Sequence, residues 1–214
     1  MDCEHIVSGI LGQPANALSS LAFVVSATWI LVLAFRGERA GRAPLIVFAL
    51  TVAANAVGSF ALHGPDPGWA QWAHDTAIIS VLLFIGIRAL GRARGWRISV
   101  AMGVYATGLI AIGAGLALIH GASDPFAGTL AAGAIVGEVA TVTGRVRAPS
   151  SLGGEGTARV VGLTAITLGG IAFLLGRTAS PLCDPASVFQ WHAVWHALVA
   201  VALVAYVYTI RSRP

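Results

Sequence analysis

Lysine is absent from all 214 residues of the chain. Without its amine no retinal Schiff base can form, so a rhodopsin-like reading of an apolar helical protein is excluded. Charge of either sign is scarce. Asp, Glu, Lys and Arg together make up 10% of the residues, against about a quarter in soluble domains, which excludes an ordinary soluble fold. A basic n-region is missing as well, since Asp2 and Glu4 stand where one would begin. No cleavable signal peptide is expected, and the first apolar run is left to act as its own insertion signal.

What is present is apolar. Hydrophobic residues are 57% of the chain and the mean hydropathy is +0.81. Seven runs approach the ~20 residues that a bilayer-spanning helix needs. They lie at 16–35, 43–63, 70–90, 98–119, 125–144, 159–177 and 188–210. The expected fold is all-α, a single seven-helix transmembrane domain over residues 1–214, with no second domain and no repeat. Short linkers such as Gly64-Pro65-Asp66-Pro67-Gly68 read as turns. Small residues at helical spacing, Gly103 with Thr107 and Gly133 with Gly137, suit close helix packing.

All the positive charge is arginine, and twelve of the thirteen arginines fall on one side of this layout; Arg177 is the exception. In a membrane protein that asymmetry reports topology rather than a nucleic-acid surface, so no nucleic-acid partner is expected. The positive-inside rule puts the N-terminus outside and the C-terminus in the cytoplasm. The lysine-free, alanine- and arginine-rich composition suggests a GC-rich bacterium, hence an inner-membrane protein with its outer end toward the periplasm. Cys3 and Cys183 both fall on the outer face, where an oxidising compartment admits a disulfide or two free thiols.

Ionisable residues inside apolar runs are costly and carry the functional reading. Ser59 and His63 lie four apart at the outer end of the second run, and Asp75 near the outer start of the third. His192 and His196 lie four apart at the outer start of the seventh. Residues four apart share a helix face, so all five can meet in one layer. Three neutral imidazoles with an open fourth position describe a catalytic zinc site, where the metal brings the pKa of a water to about 7. Asp75 then acts as general base, and Ser59 holds a developing oxyanion. His74 is offset from Asp75 by about 100° around a helix and reads as interfacial. Glu138, in the fifth run, is a second intramembrane acid. Trp69, Trp72, Trp191 and Trp195 suit an aromatic belt at the outer ends.

These residues resemble those of the alkaline ceramidases and of the wider seven-helix superfamily that includes adiponectin-receptor-like and haemolysin-III-like proteins. The resemblance lies in Cys3-Glu4, in Gln13-Pro14-Ala15-Asn16-Ala17-Leu18-Ser19-Ser20 and in Gly58-Ser59-Phe60-Ala61-Leu62-His63. It continues in Asp75 and in His192-Ala193-Val194-Trp195-His196. It implies an intramembrane zinc hydrolase that cleaves the amide of ceramide or a related long-chain lipid taken from the bilayer. Zinc would be held by His63, His192 and His196, with Asp75 and Ser59 in catalytic support and a bridge between Cys3 and Cys183. Ile6 and Gln13 depart from the family's calcium-binding cluster and leave mainly Asp2 and Glu4, too few oxygens for an expected calcium. Two other classes fit the same residues. One is a non-enzymatic receptor or regulator with a structural zinc. The other is a transporter relaying protons through Asp75 and Glu138.

Overall fold

A segment that stays apolar for twenty residues finds no water for its backbone in a bilayer, and helix lets it satisfy itself. The computed structural model describes residues 2–37, 39–118 and 154–211, with Thr129 and Gly133 between the last two ranges. Its helices are α1 (Pro14–Ser19), α2 (Leu21–Arg36), α3 (Arg39–His63), α4 (Ala70–Arg94), α5 (Ile98–Leu118), α6 (Gly154–Leu175) and α7 (Trp191–Arg211). No strand forms among the described residues, only an isolated bridge between Asp2 and Arg177.

Across Ser20, α1 and α2 make one apolar run, so six described segments are long and apolar enough to cross a membrane. They mark the chain as an integral multi-pass membrane protein. They match the expected first, second, third, fourth, sixth and seventh spans. The fifth, at 125–144 with Glu138, lies outside the described residues apart from Thr129 and Gly133.

The chain divides into two compact units, Met1–Gln71 with Leu152–Pro214, and Trp72–Ser151. In the first, α6 packs along α7, α2 packs along α3, and α7 also touches α1 and α2. Phe23, Ile30, Phe48, Val52 and Val207 are fully buried there. A polar tie crosses this core, where Ser26 Oγ–H donates to Ala200 O at 3.0 Å, and on the exposed side Trp29 Nε1–H donates to Tyr208 Oη at 3.2 Å.

The same end of that unit collects the start of α1, the end of α3, the end of α6 and the start of α7. A non-helical strap, residues 2–13, laces them together. Cys3 N–H donates to Gly176 O at 2.8 Å, Gly12 N–H to Gly64 O at 3.0 Å and Gln13 N–H to His63 O at 2.7 Å. A Cys3–Cys183 disulfide closes the strap onto the α6–α7 loop, so of the two states open to these cysteines the bridge is the one formed. At Gly12 a Cβ would sit 2.7 Å from Gly64 O, so the lacing needs glycine there. Arg36, Arg39, Arg42 and Arg159 gather at the opposite end, which keeps the arginine segregation within this unit.

In the second unit α4 ends on Gly95, whose φ of +65° suits a left-handed C-cap. Trp96 N–H donates to Gly91 O at 2.8 Å across that cap. On α5 the close approaches are at Gly108, where a Cβ would lie 3.2 Å from Leu83, and at Gly91 on α4, where it would lie 3.3 Å from Ala101. Gly103, singled out by its spacing, has nothing within 4 Å among the described residues.

Candidate metal centre

His63 is the last residue of α3, and His192 and His196 occupy the first two turns of α7. Their helices run in opposite directions, so the end of one and the start of the other supply the same level. One ring nitrogen from each of the three lies within 4.8 Å of the other two. All three are buried, at 2%, 5% and 2% exposure. Imidazoles carried this deep into an apolar unit need partners, and the arrangement can hold a metal ion.

Ring geometry tests the fit. The His63–His192, His63–His196 and His192–His196 centroids are 4.9, 5.3 and 4.7 Å apart, with interplanar angles of 55–77°. With metal–nitrogen bonds of about 2.0–2.1 Å, imidazoles at tetrahedral angles have centroids roughly 5 Å apart. The observed spacings bracket that value.

The donor atoms follow from the hydrogen bonds behind each ring. Gln13 Nε2–H donates to Glu4 O at 2.9 Å, so its Oε1 is the acceptor that stands 2.7 Å from His63 Nδ1. His63 therefore carries its proton on Nδ1 and its lone pair on Nε2. Ser19 Oγ–H donates to Asn16 O at 2.8 Å, and its oxygen then accepts from His196 Nδ1–H at 2.8 Å. That leaves the His196 lone pair on Nε2 also, where Ser59 Oγ–H donates at 3.2 Å. Behind His192, Asp2 Oδ1 lies 3.2 Å from Nδ1, and a carboxylate there favours the same tautomer. Anchoring the outer ring nitrogen is how ligating histidines are oriented.

Local sequence explains why the supports stand where they do. Pro14 opens α1, a position that loses no helical hydrogen bond. Both Glu4 carboxylate oxygens accept from the orphan amides of that first turn, Ala15 N–H at 2.7 Å and Asn16 N–H at 2.9 Å. A negative charge at a helix N-terminus is favourable. Glu4 thus fixes α1, α1 presents Ser19, and Ser19 holds His196.

Of the five site residues expected from sequence, the structure gathers His63, His192, His196 and Ser59, the last 1% exposed. Asp75 belongs to the other unit. There it accepts from His74 Nδ1–H at 3.0 Å, the two side chains being 16% and 14% exposed. The helical offset that made His74 look separate from Asp75 does not keep their side chains apart. Trp195 packs into unit one, against Phe173 and Gly169, while Trp69 and Trp72 are exposed.

Sequence reasoning assigned no support role to Asp2, Gln13 or Ser19. Gln13 and Ser19 were visible as parts of a motif, but their partners are 50 and 177 residues away. Comparison with protein-family models, curated proteins and solved structures finds no match to this chain in any of the three.

Proposed function

We propose that the protein is an intramembrane zinc-dependent amidohydrolase of the alkaline ceramidase type, acting on ceramide or a related long-chain lipid amide. In this reading the histidine end faces outward and the arginine-rich end faces the cytoplasm. The observation that carries it is the set of three buried imidazoles, one ring nitrogen of each within 4.8 Å of the others, with the Nδ1 atoms of His63 and His196 hydrogen-bonded and that of His192 facing Asp2. Among the described residues the cluster holds three histidines and no fourth Cys, Asp or Glu, a ligand count that suits a catalytic zinc rather than a closed structural one. The chemistry zinc supplies in such a site is Lewis acidity and a water acid enough to be hydroxide near pH 7.

The chain's own residues do the rest. Ser59 Oγ sits 3.2 Å from His196 Nε2. Once that lone pair is taken, its hydroxyl is released to donate to the substrate's carbonyl oxygen as charge builds there. A general base is needed to take the proton from the attacking water and return it to the leaving nitrogen as the C–N bond breaks, and Asp75 is the residue proposed for it from the sequence. The products are a fatty acid and a long-chain amine. Exposed Leu21, Val24 and Val25 on α2 suit a substrate that arrives from the bilayer.

The test is fatty-acid release from a panel of long-chain lipid amides by purified protein, with and without chelator. Chelator-sensitive release, restored by zinc, is the expected result. A zinc-loaded protein that turns over none of the panel would overturn the hydrolase reading in favour of a receptor with a structural metal.

A further inference from the structure

Two of the three imidazoles share one carboxylate. Asp2 Oδ1 lies 3.2 Å from His192 Nδ1, and Asp2 Oδ2 lies 3.8 Å from His63 Nδ1. The side chain is only 17% exposed, so water screens these contacts weakly. Both contacts fall on Nδ1, and the His63 Nδ1–H is already given to Gln13 Oε1 at 2.7 Å. A carboxylate in that place is a support and not a ligand. Beside His192, at 3.2 Å, it favours the Nδ1–H form of that ring.

What holds Asp2 there is covalent. Its neighbour Cys3 is bonded to Cys183, and Cys3 N–H also donates to Gly176 O at 2.8 Å. Asp2 itself bridges to Arg177 through the backbone. Cys183 lies eight residues before Trp191, the first residue of α7. The bridge therefore ties the carboxylate to the loop that leads into the helix carrying His192.

We propose that Asp2 is a positioning residue for the metal, set against the Nδ1 side of His192, and that the Cys3–Cys183 disulfide keeps it in place, so that metal affinity depends on the redox state of the bridge. The inference rests on the reading of His63, His192 and His196 as metal ligands.

The test measures zinc affinity by chelator competition, and the cobalt absorption spectrum, in detergent-purified full-length protein. Wild type, Asp2→Asn and Asp2→Glu are each measured oxidised and after reduction with a phosphine. Asp2→Asn has nearly the same shape and keeps the backbone bridge, so it separates the carboxylate from mere packing. It is expected to weaken zinc binding about 10- to 100-fold and to shift the cobalt bands, while Asp2→Glu recovers part of the loss. Reduction should weaken wild type and add little to Asp2→Asn, because the bridge acts through the carboxylate.

Should Asp2→Asn not accumulate in folded form, reduction of folded wild type still decides, and unchanged affinity on reduction would then overturn the proposal. Zinc affinity in Asp2→Asn within about twofold of wild type would overturn it directly, below the range that lost support residues cost. Equal losses on reduction in wild type and Asp2→Asn would overturn the link between bridge and carboxylate. A wild type that binds no metal would fail the ligand reading itself, a different result from any of these.

Discussion

Gly176 is where a single methyl group should reach the metal centre. It follows α6, beneath the start of α7, and a Cβ there would stand 2.8 Å from His192 N and 3.2 Å from both His192 Cα and Ala172 O. All three are backbone atoms, so no side chain can swing aside. Carbon contacts are comfortable at about 3.5–4.0 Å, so Gly176→Ala must push the first turn of α7 back by roughly 0.5 Å or more. Overpacking of this kind costs about 1–3 kcal/mol, and a constellation of ligands tolerates misplacement of only about 0.5 Å. His192 moves with its own backbone. Zinc affinity, read by chelator competition in detergent, should fall on the order of tenfold, the low end for a disturbed support. Gly170→Ala is the control. It lies within α6 with nothing within 4 Å of its Cβ position among the described residues, and should leave metal binding unchanged while adding about 0.5–1 kcal/mol of helix stability. Wild-type zinc affinity in Gly176→Ala would refute the reasoning.

Three further outcomes follow from the same geometry. Gln13→Ala removes the acceptor 2.7 Å from His63 Nδ1. Zinc affinity should drop about tenfold, not more, because Asp2 stays near the same nitrogen, and Gln13→Glu should bind nearly as wild type. Asp75→Asn should keep its zinc and lose about 10²–10⁴ in the rate of lipid-amide hydrolysis; wild-type turnover would remove Asp75 from the mechanism. Ser59→Ala should keep its zinc and lose about 10²–10³ in kcat, and an unchanged kcat would assign Ser59 to packing alone.

The apolar runs were legible because period and length suffice to mark a spanning helix, and six of the seven expected runs reappear within a few residues. His63, His192 and His196 were legible because buried imidazoles are costly and because chain direction fixes which helix ends meet. The supports were not. Gln13 and Ser19 are ordinary polar residues near a helix start, and nothing local says that they face rings 50 and 177 residues away. Asp2 reads as one more acid near the N-terminus until the Cys3–Cys183 bridge and the Arg177 pairing bring it over the cluster. The break at Ser20 was hidden inside one apolar run. It shows only in the three-residue-spaced bonds Ser20 N–H to Ala17 O and Phe23 N–H to Ser20 O, which tighten the backbone there.

The most direct measurement of the central claim is the metal content of purified protein by elemental analysis, for wild type and for His63→Ala, His192→Ala and His196→Ala. Wild type is expected to carry about one zinc per chain, and each substitution to lose most of it, since two ligands hold the ion too weakly to survive purification. His74→Ala, whose ring is paired with Asp75, should retain it. Full metal retention in all three ligand variants would contradict the account.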